Sequence, residues 1–169
     1  MSNIEEQNLT EFLLEVKAKM ANITLSENEA INEITSYVLS NTGKFIRSKI
    51  IFLYGDEIGV KKSKLIELAS AAELIHLSTL IHDDIIDEAD IRRNKPTVVS
   101  KWGIKKAILY GDFLYTKTFQ ALNSLENIAI SDELIKCAEM LIDGEFNQIR
   151  IKNTNTISLE QYYDVIEKK

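Results

Sequence analysis

A single proline, Pro96, and six glycines are all that punctuate 169 residues. Long helices tolerate so few breaks, whereas a sandwich of short strands joined by tight turns does not. The apolar pattern agrees. Leu9, Phe12, Leu13, Val16 and Met20 recur at helical spacing, and no segment alternates convincingly as a strand. A second helix is predicted from a capping box of Ser26 and Glu29, running through Ile31, Ile34, Tyr37 and Val38. Others are expected over about 44–58, 62–87, 107–125, 131–150 with Ser131 as N-cap, and 159–169 capped by Ser158, with loops at 88–98 and 153–157. The expected fold class is all-α: antiparallel helices around a central one, in a single domain over 1–169. A chain of this size buries about 70% of its unfolded surface.

Composition narrows the function. Apolar residues make up 45% and charged residues 27%, so a folded core is expected and disorder is not. The net charge of −6, from 26 acids against 20 bases, and the lack of a basic stripe with interleaved aromatics argue against nucleic-acid binding. Cys137 is the only cysteine, which points to a reducing, cytoplasmic setting without an intrachain disulfide. The acidic N-terminus does not read as a signal peptide. No run of about twenty apolar residues suggests a transmembrane span.

The central stretch, residues 71–87, is apolar or small at nearly every position and then ends in Asp83-Asp84-Ile85-Ile86-Asp87. On a helix Asp83 and Asp87 stand one turn apart and about 40° apart in azimuth, so they point the same way. Two like charges so placed repel, and a hard divalent cation relieves the repulsion. Mg²⁺ takes oxygen ligands and is commonly held by one or two carboxylates together with substrate phosphates. An aspartate-rich helix end is more often mere solvated surface; what it occurs with changes that. Arg92, Arg93 and Lys95 follow closely, and Gly43-Lys44-Phe45-Ile46-Arg47 precedes.

Together and in this order, these motifs resemble the trans-prenyl diphosphate synthase (polyprenyl synthetase) family. The resemblance covers about residue 42 onward and is similar to the N-terminal part of bacterial long-chain (octaprenyl-type), geranylgeranyl or farnesyl diphosphate synthases. It implies an isoprenoid-synthase helical bundle, N-terminal half only, and an enzyme that condenses isopentenyl diphosphate with an allylic diphosphate using Mg²⁺. By the same resemblance Asp83 and Asp87 are metal ligands, with Asp84 supporting them as part of the catalytic motif. Lys44, Arg47, His76 and Arg93 hold isopentenyl diphosphate, and Arg92 with Lys169 the allylic diphosphate. Ser78, Thr79 and Ala72, all small, lie along the wall that sets product length and imply a product longer than farnesyl diphosphate, the alternative being that they only permit close helix packing. His82 is left unassigned. Gly111-Asp112-Phe113-Leu114 and Gly144-Glu145 with Gln148 resemble further family motifs whose roles are expected to be structural.

Departures are also expected to matter. The family pattern G-G-K-R-x-R-P is met here with Thr42 for the first glycine, Phe45 for a basic residue and Ser48 for the proline. A second aspartate-rich motif does not occur in the sequence, so an inactive N-terminal fragment that self-associates, as family homodimers do, is one expectation. A non-catalytic partner or regulatory chain of a prenyl synthase is the alternative. A terpene cyclase is disfavoured, since Lys44, Arg47 and Arg93 would serve a second diphosphate that cyclases do not bind.

Overall fold

The computed structural model describes residues 3–152, 154 and 156–168, with side chains from residue 5 onward. Lys169, assigned above to the allylic diphosphate, lies outside the described residues. These divide into two compact units, Met1–Glu126 and Asn127–Lys169.

The first unit holds helices α1 (Asn3–Ile23), α2 (Glu29–Ser40), α3 (Ile46–Glu57) and α4 (Lys62–Ile86). A hairpin of β1 (Ile91–Arg92) and β2 (Lys95–Pro96) follows, then the short α5 (Val98–Trp102) and α6 (Ile104–Asn123). The predicted face of α1 is the one buried: Phe12, Val16 and Met20 are inaccessible to solvent, and Phe12 meets Phe52 of α3 at 4.9 Å between ring centroids. α4 packs on α1, α3 and α6. Among the described helices it alone is long and apolar enough to cross a membrane, but half of that apolar window is buried within the fold, as befits a core helix.

α6 closes tightly on α4 because residue 111 is glycine. A Cβ there would lie 2.3 Å from His82 Nε2, and the buried Ser78 hydroxyl donates to the Gly111 carbonyl at 2.8 Å. Thus the G-D-x-L segment works through its missing side chain.

Three local expectations are corrected. α2 is capped by Asn28, whose side chain accepts from the Ala30 N–H at 3.0 Å, and not by a Ser26–Glu29 box. α7 (Ile128–Lys152) begins before Ser131; there Asn127 Oδ1 accepts from the Ala129 N–H at 3.1 Å. Residues 88–98, expected as plain loop, contain the hairpin, with Ile91 opposite Pro96 and Arg92 opposite Lys95. Its two-residue turn places Arg93 at φ 52° and Asn94 at φ 61°, the paired left-handed residues that match the twist of flanking strands. Strands of two residues carry too little alternation to be read from sequence.

The second unit is α7 packed on α8 (Leu159–Lys168). Ser158 and Gln161 cap α8 reciprocally: the Gln161 N–H donates to Ser158 Oγ at 3.2 Å and the Ser158 N–H to Gln161 Oε1 at 2.9 Å.

Candidate diphosphate and metal site

Four of the predicted residues, far apart in sequence, line one cavity. Lys44 and Arg47 come from the turn into α3, His76 from the middle of α4, and Arg93 from the hairpin tip. The cavity spans about 430 Å³ counting the open solvent at its mouth, and Glu73 and Thr42 also line it.

Each element is placed for a local reason. Arg93 reaches the cavity over Gly43, where a Cβ would fall 2.6 Å from a guanidinium nitrogen. Arg93 also donates to the Asn41 carbonyl at 3.4 Å, and Lys95 bonds the Asn41 side chain, so the end of α2 holds the hairpin tip. Tyr37 adds a bond from its hydroxyl to the Pro96 carbonyl at 2.7 Å.

His76 carries the electrostatic signature of the place. Burial, then the charges of Arg47, Arg93 and Arg92, lower its pKa to about 4. At neutral pH the imidazole is therefore uncharged, able to donate one hydrogen bond while three permanent cations supply the field. Such a cavity suits a polyanion with many acceptor oxygens, and guanidinium forks match phosphate oxygens in pairs.

Two turns further along α4 the aspartates separate into different roles. Asp84 is buried, 5% exposed, and accepts from Arg92 Nε at 2.7 Å. Its pKa is raised by burial, against the opposing hydrogen bond and charge of Arg92, with the charge of Asp87 adding to the rise. Asp84 thus orients Arg92. That bond uses Arg92 Nε and not its terminal nitrogens.

Asp83 is half-buried and Asp87 exposed. Burial and then the charge of Asp83 raise the pKa of Tyr115, which places that carboxylate near α6. Asp87 ends α4, its N–H bonded to the Asp83 carbonyl at 2.8 Å. Among the described residues no three or more His, Cys, Asp or Glu side chains gather as a ready metal cluster. Two hard carboxylates one turn apart nevertheless fit Mg²⁺, which keeps waters and substrate oxygens in its remaining positions.

Of the three residues that the resemblance assigned to product length, Ser78 is wholly buried in the α4–α6 contact. Thr79 is half-buried, its hydroxyl donating to the His76 carbonyl at 2.9 Å. Ala72 is half-buried. His82, unassigned from sequence, stacks on Tyr115 at 6.3 Å and lies 3.6 Å from Asp112.

Sequence reasoning passed over Glu73. A signal was there: it is the only acid or permanent base between Glu67 and Asp83, one turn before His76 on the same face.

A helical bundle with a cation-lined cavity beside an aspartate-rich helix end defines an isoprenoid-synthase architecture, and the comparisons agree. The Polyprenyl synthetase family model matches residues 28–169, and the chain belongs to that family. It is 34% identical over 144 residues to octaprenyl diphosphate synthase of Escherichia coli (strain K12), covering 85% of this chain and 45% of the relative. It is 32% identical to geranylgeranyl diphosphate synthase of Methanosarcina mazei over 152 residues, 87% of this chain and 47% of the relative. The crystal structure of a decaprenyl diphosphate synthase from Rhodobacter capsulatus superposes with a TM-score of 0.90 at 30% identity, covering 96% of this chain and 50% of that one. The chain spans about half the length of these relatives.

Proposed function

We propose that this chain forms the isopentenyl diphosphate site and one metal-binding wall of a trans-prenyl diphosphate synthase, which joins isopentenyl diphosphate to an allylic diphosphate. The observation that carries this reading is the convergence of Lys44, Arg47, His76 and Arg93 on one cavity. Three cations balance most of a diphosphate's charge, and the neutral His76 ring adds a donor without adding repulsion to the arginines.

Asp83 and Asp87 would hold Mg²⁺. When bound, the metal stabilises the charge that grows on a departing allylic diphosphate. Arg92, steadied by Asp84, faces the same anion with its terminal N–H groups. With two carboxylates from a single described helix, the chain by itself is expected to bind rather than turn over. The side chains of Ile104, Ile108, Leu109 and Phe119 on α6 are exposed, which supports self-association, and the lone Cys137 supports a reducing, cytoplasmic setting. The wall residues Ser78, Thr79 and Ala72 favour a product longer than farnesyl diphosphate.

Calorimetric titration of the 169-residue chain with isopentenyl diphosphate in EDTA tests the central claim. Saturable binding that disappears in Arg47→Ala with Arg93→Ala is expected; binding unaffected by that pair of changes would overturn it. Incorporation of radiolabelled isopentenyl diphosphate into product by a chain of verified mass would remove the expectation of binding without turnover.

A further inference from the structure

Glu73 sits in the cationic cavity but serves none of the roles given above. It is 7% exposed, and its Oε1 accepts from the Ser48 N–H at 3.1 Å and the Ser48 hydroxyl at 3.0 Å. Ser48 is itself fully buried and stands at the third position of α3.

The start of α3 explains why this pair exists. A helix leaves its first N–H groups without partners inside the helix, and a side-chain oxygen from the residue before it normally serves one of them. Here that residue is Phe45, a hydrocarbon side chain in the left-handed region at φ 51° and ψ 45°, which caps nothing. Left alone, the buried Ser48 N–H would carry the full desolvation penalty of an unsatisfied donor. Glu73 reaches from α4 to take it, and its negative charge meets the positive end of the helix. Lys44 and Arg47 flank the Phe45 backbone on either side. Whatever fixes this turn fixes the backbone that carries both cations.

We propose that Glu73 is a positioning residue for the cationic cavity, capping α3 from a neighbouring helix through Ser48 and so holding Lys44 and Arg47 in place for a diphosphate. The proposal rests on the reading that the cavity takes a diphosphate. It carries a signature that distinguishes geometry from charge. Glu73→Gln keeps the accepting oxygen and removes a negative charge from an anion site, whereas Glu73→Ala removes both.

The experiment is calorimetric titration of the full chain with inorganic pyrophosphate in EDTA, beside amide hydrogen exchange over residues 46–49. Glu73→Ala is expected to bind about tenfold more weakly, the equivalent of one lost hydrogen bond, with the first-turn amides exchanging faster. Glu73→Gln is expected to bind at least as tightly as the unaltered chain. If both variants bind more tightly, Glu73 acts only through its charge and the proposal fails. It fails equally if Glu73→Ala changes neither affinity nor exchange. Should Glu73→Ala not fold, Ser48→Ala, which removes one of the two donors, is expected to bind a few-fold more weakly; unchanged affinity there overturns the proposal. If the unaltered chain binds no pyrophosphate, the diphosphate reading fails, and the exchange rates alone decide the capping claim.

Discussion

The cationic cavity and the carboxylate rim share one helix, about 10 Å apart along α4, yet they are built on different principles. The cavity draws on the α2–α3 turn, the middle of α4 and the hairpin tip. Tertiary contacts hold Arg93, for which Gly43 leaves space and which Asn41 tethers, while Glu73 bonds Ser48, next to the exposed Arg47. The spacing of the rim carboxylates follows from helix periodicity. Asp83 and Asp87 follow one another by one turn, and on the proposed reading they would share Mg²⁺. On the proposed reading, packing would preorganise the anion subsite, whereas the metal itself would complete the other.

That contrast can be broken by experiment. Replacing Arg47 and Arg93 together by Ala is expected to weaken metal-free isopentenyl diphosphate binding by about 10²- to 10⁴-fold, at roughly 1.5–3 kcal/mol per charge-assisted contact. The Mg²⁺-dependent gain in affinity for an allylic diphosphate should survive. Equal loss of both in calorimetry would merge the two subsites into one.

Asp83→Asn with Asp87→Asn tests the other side. Losing both metal ligands is expected to remove most of the Mg²⁺-dependent gain, roughly ten- to a hundredfold, and to leave metal-free isopentenyl diphosphate binding within about twofold. A large loss in EDTA would show that the aspartates shape the cationic cavity.

Packing beneath the rim should register as stability. Gly111→Ala forces a Cβ against the His82 ring, and urea unfolding is expected to show a loss of about 1–3 kcal/mol. An unchanged midpoint would mean that α6 shifts freely and that the close approach does not steady the rim. Gly43→Ala meets a flexible guanidinium instead. It should therefore spare stability but displace Arg93, weakening pyrophosphate binding by roughly tenfold or less.

The smallest effect is one of pH. The folded chain holds the His76 pKa at about 4, below the ordinary value near 6.5. Between these values the unfolded chain binds the extra proton, so acidification from pH 6.5 toward 4 costs stability. For a half-buried ring the cost is on the order of 1 kcal/mol after screening. Thermal melts should show that slope in the unaltered chain and a shallower one in His76→Gln. Identical slopes would place His76 outside the arginine field.

Much of this was legible in the chain. The all-α class followed from few glycines and one proline, and the face of α1 from its spacing. The roles of Lys44, Arg47, His76 and Arg93 were implied by family motifs, and the fold brings all four to one cavity. Other features were not legible for specific reasons. The hairpin is four paired residues long, too short to show a period. Asn28 displaced Ser26 as a cap because a helix start is decided by which oxygen reaches the open N–H groups. Glu73 looked like an ordinary helix residue because its partner lies 25 positions away.

Periodicity and local chemistry act over a few residues, and over that range the sequence by itself determined the helices and the paired carboxylates of α4. The tertiary structure alone decided that Asp84 turns inward to Arg92, and that Glu73 caps a helix it does not belong to. Burial is the physical reason. A desolvated charge or N–H must find a partner, and which partner is within reach is a property of packing, not of the order of residues.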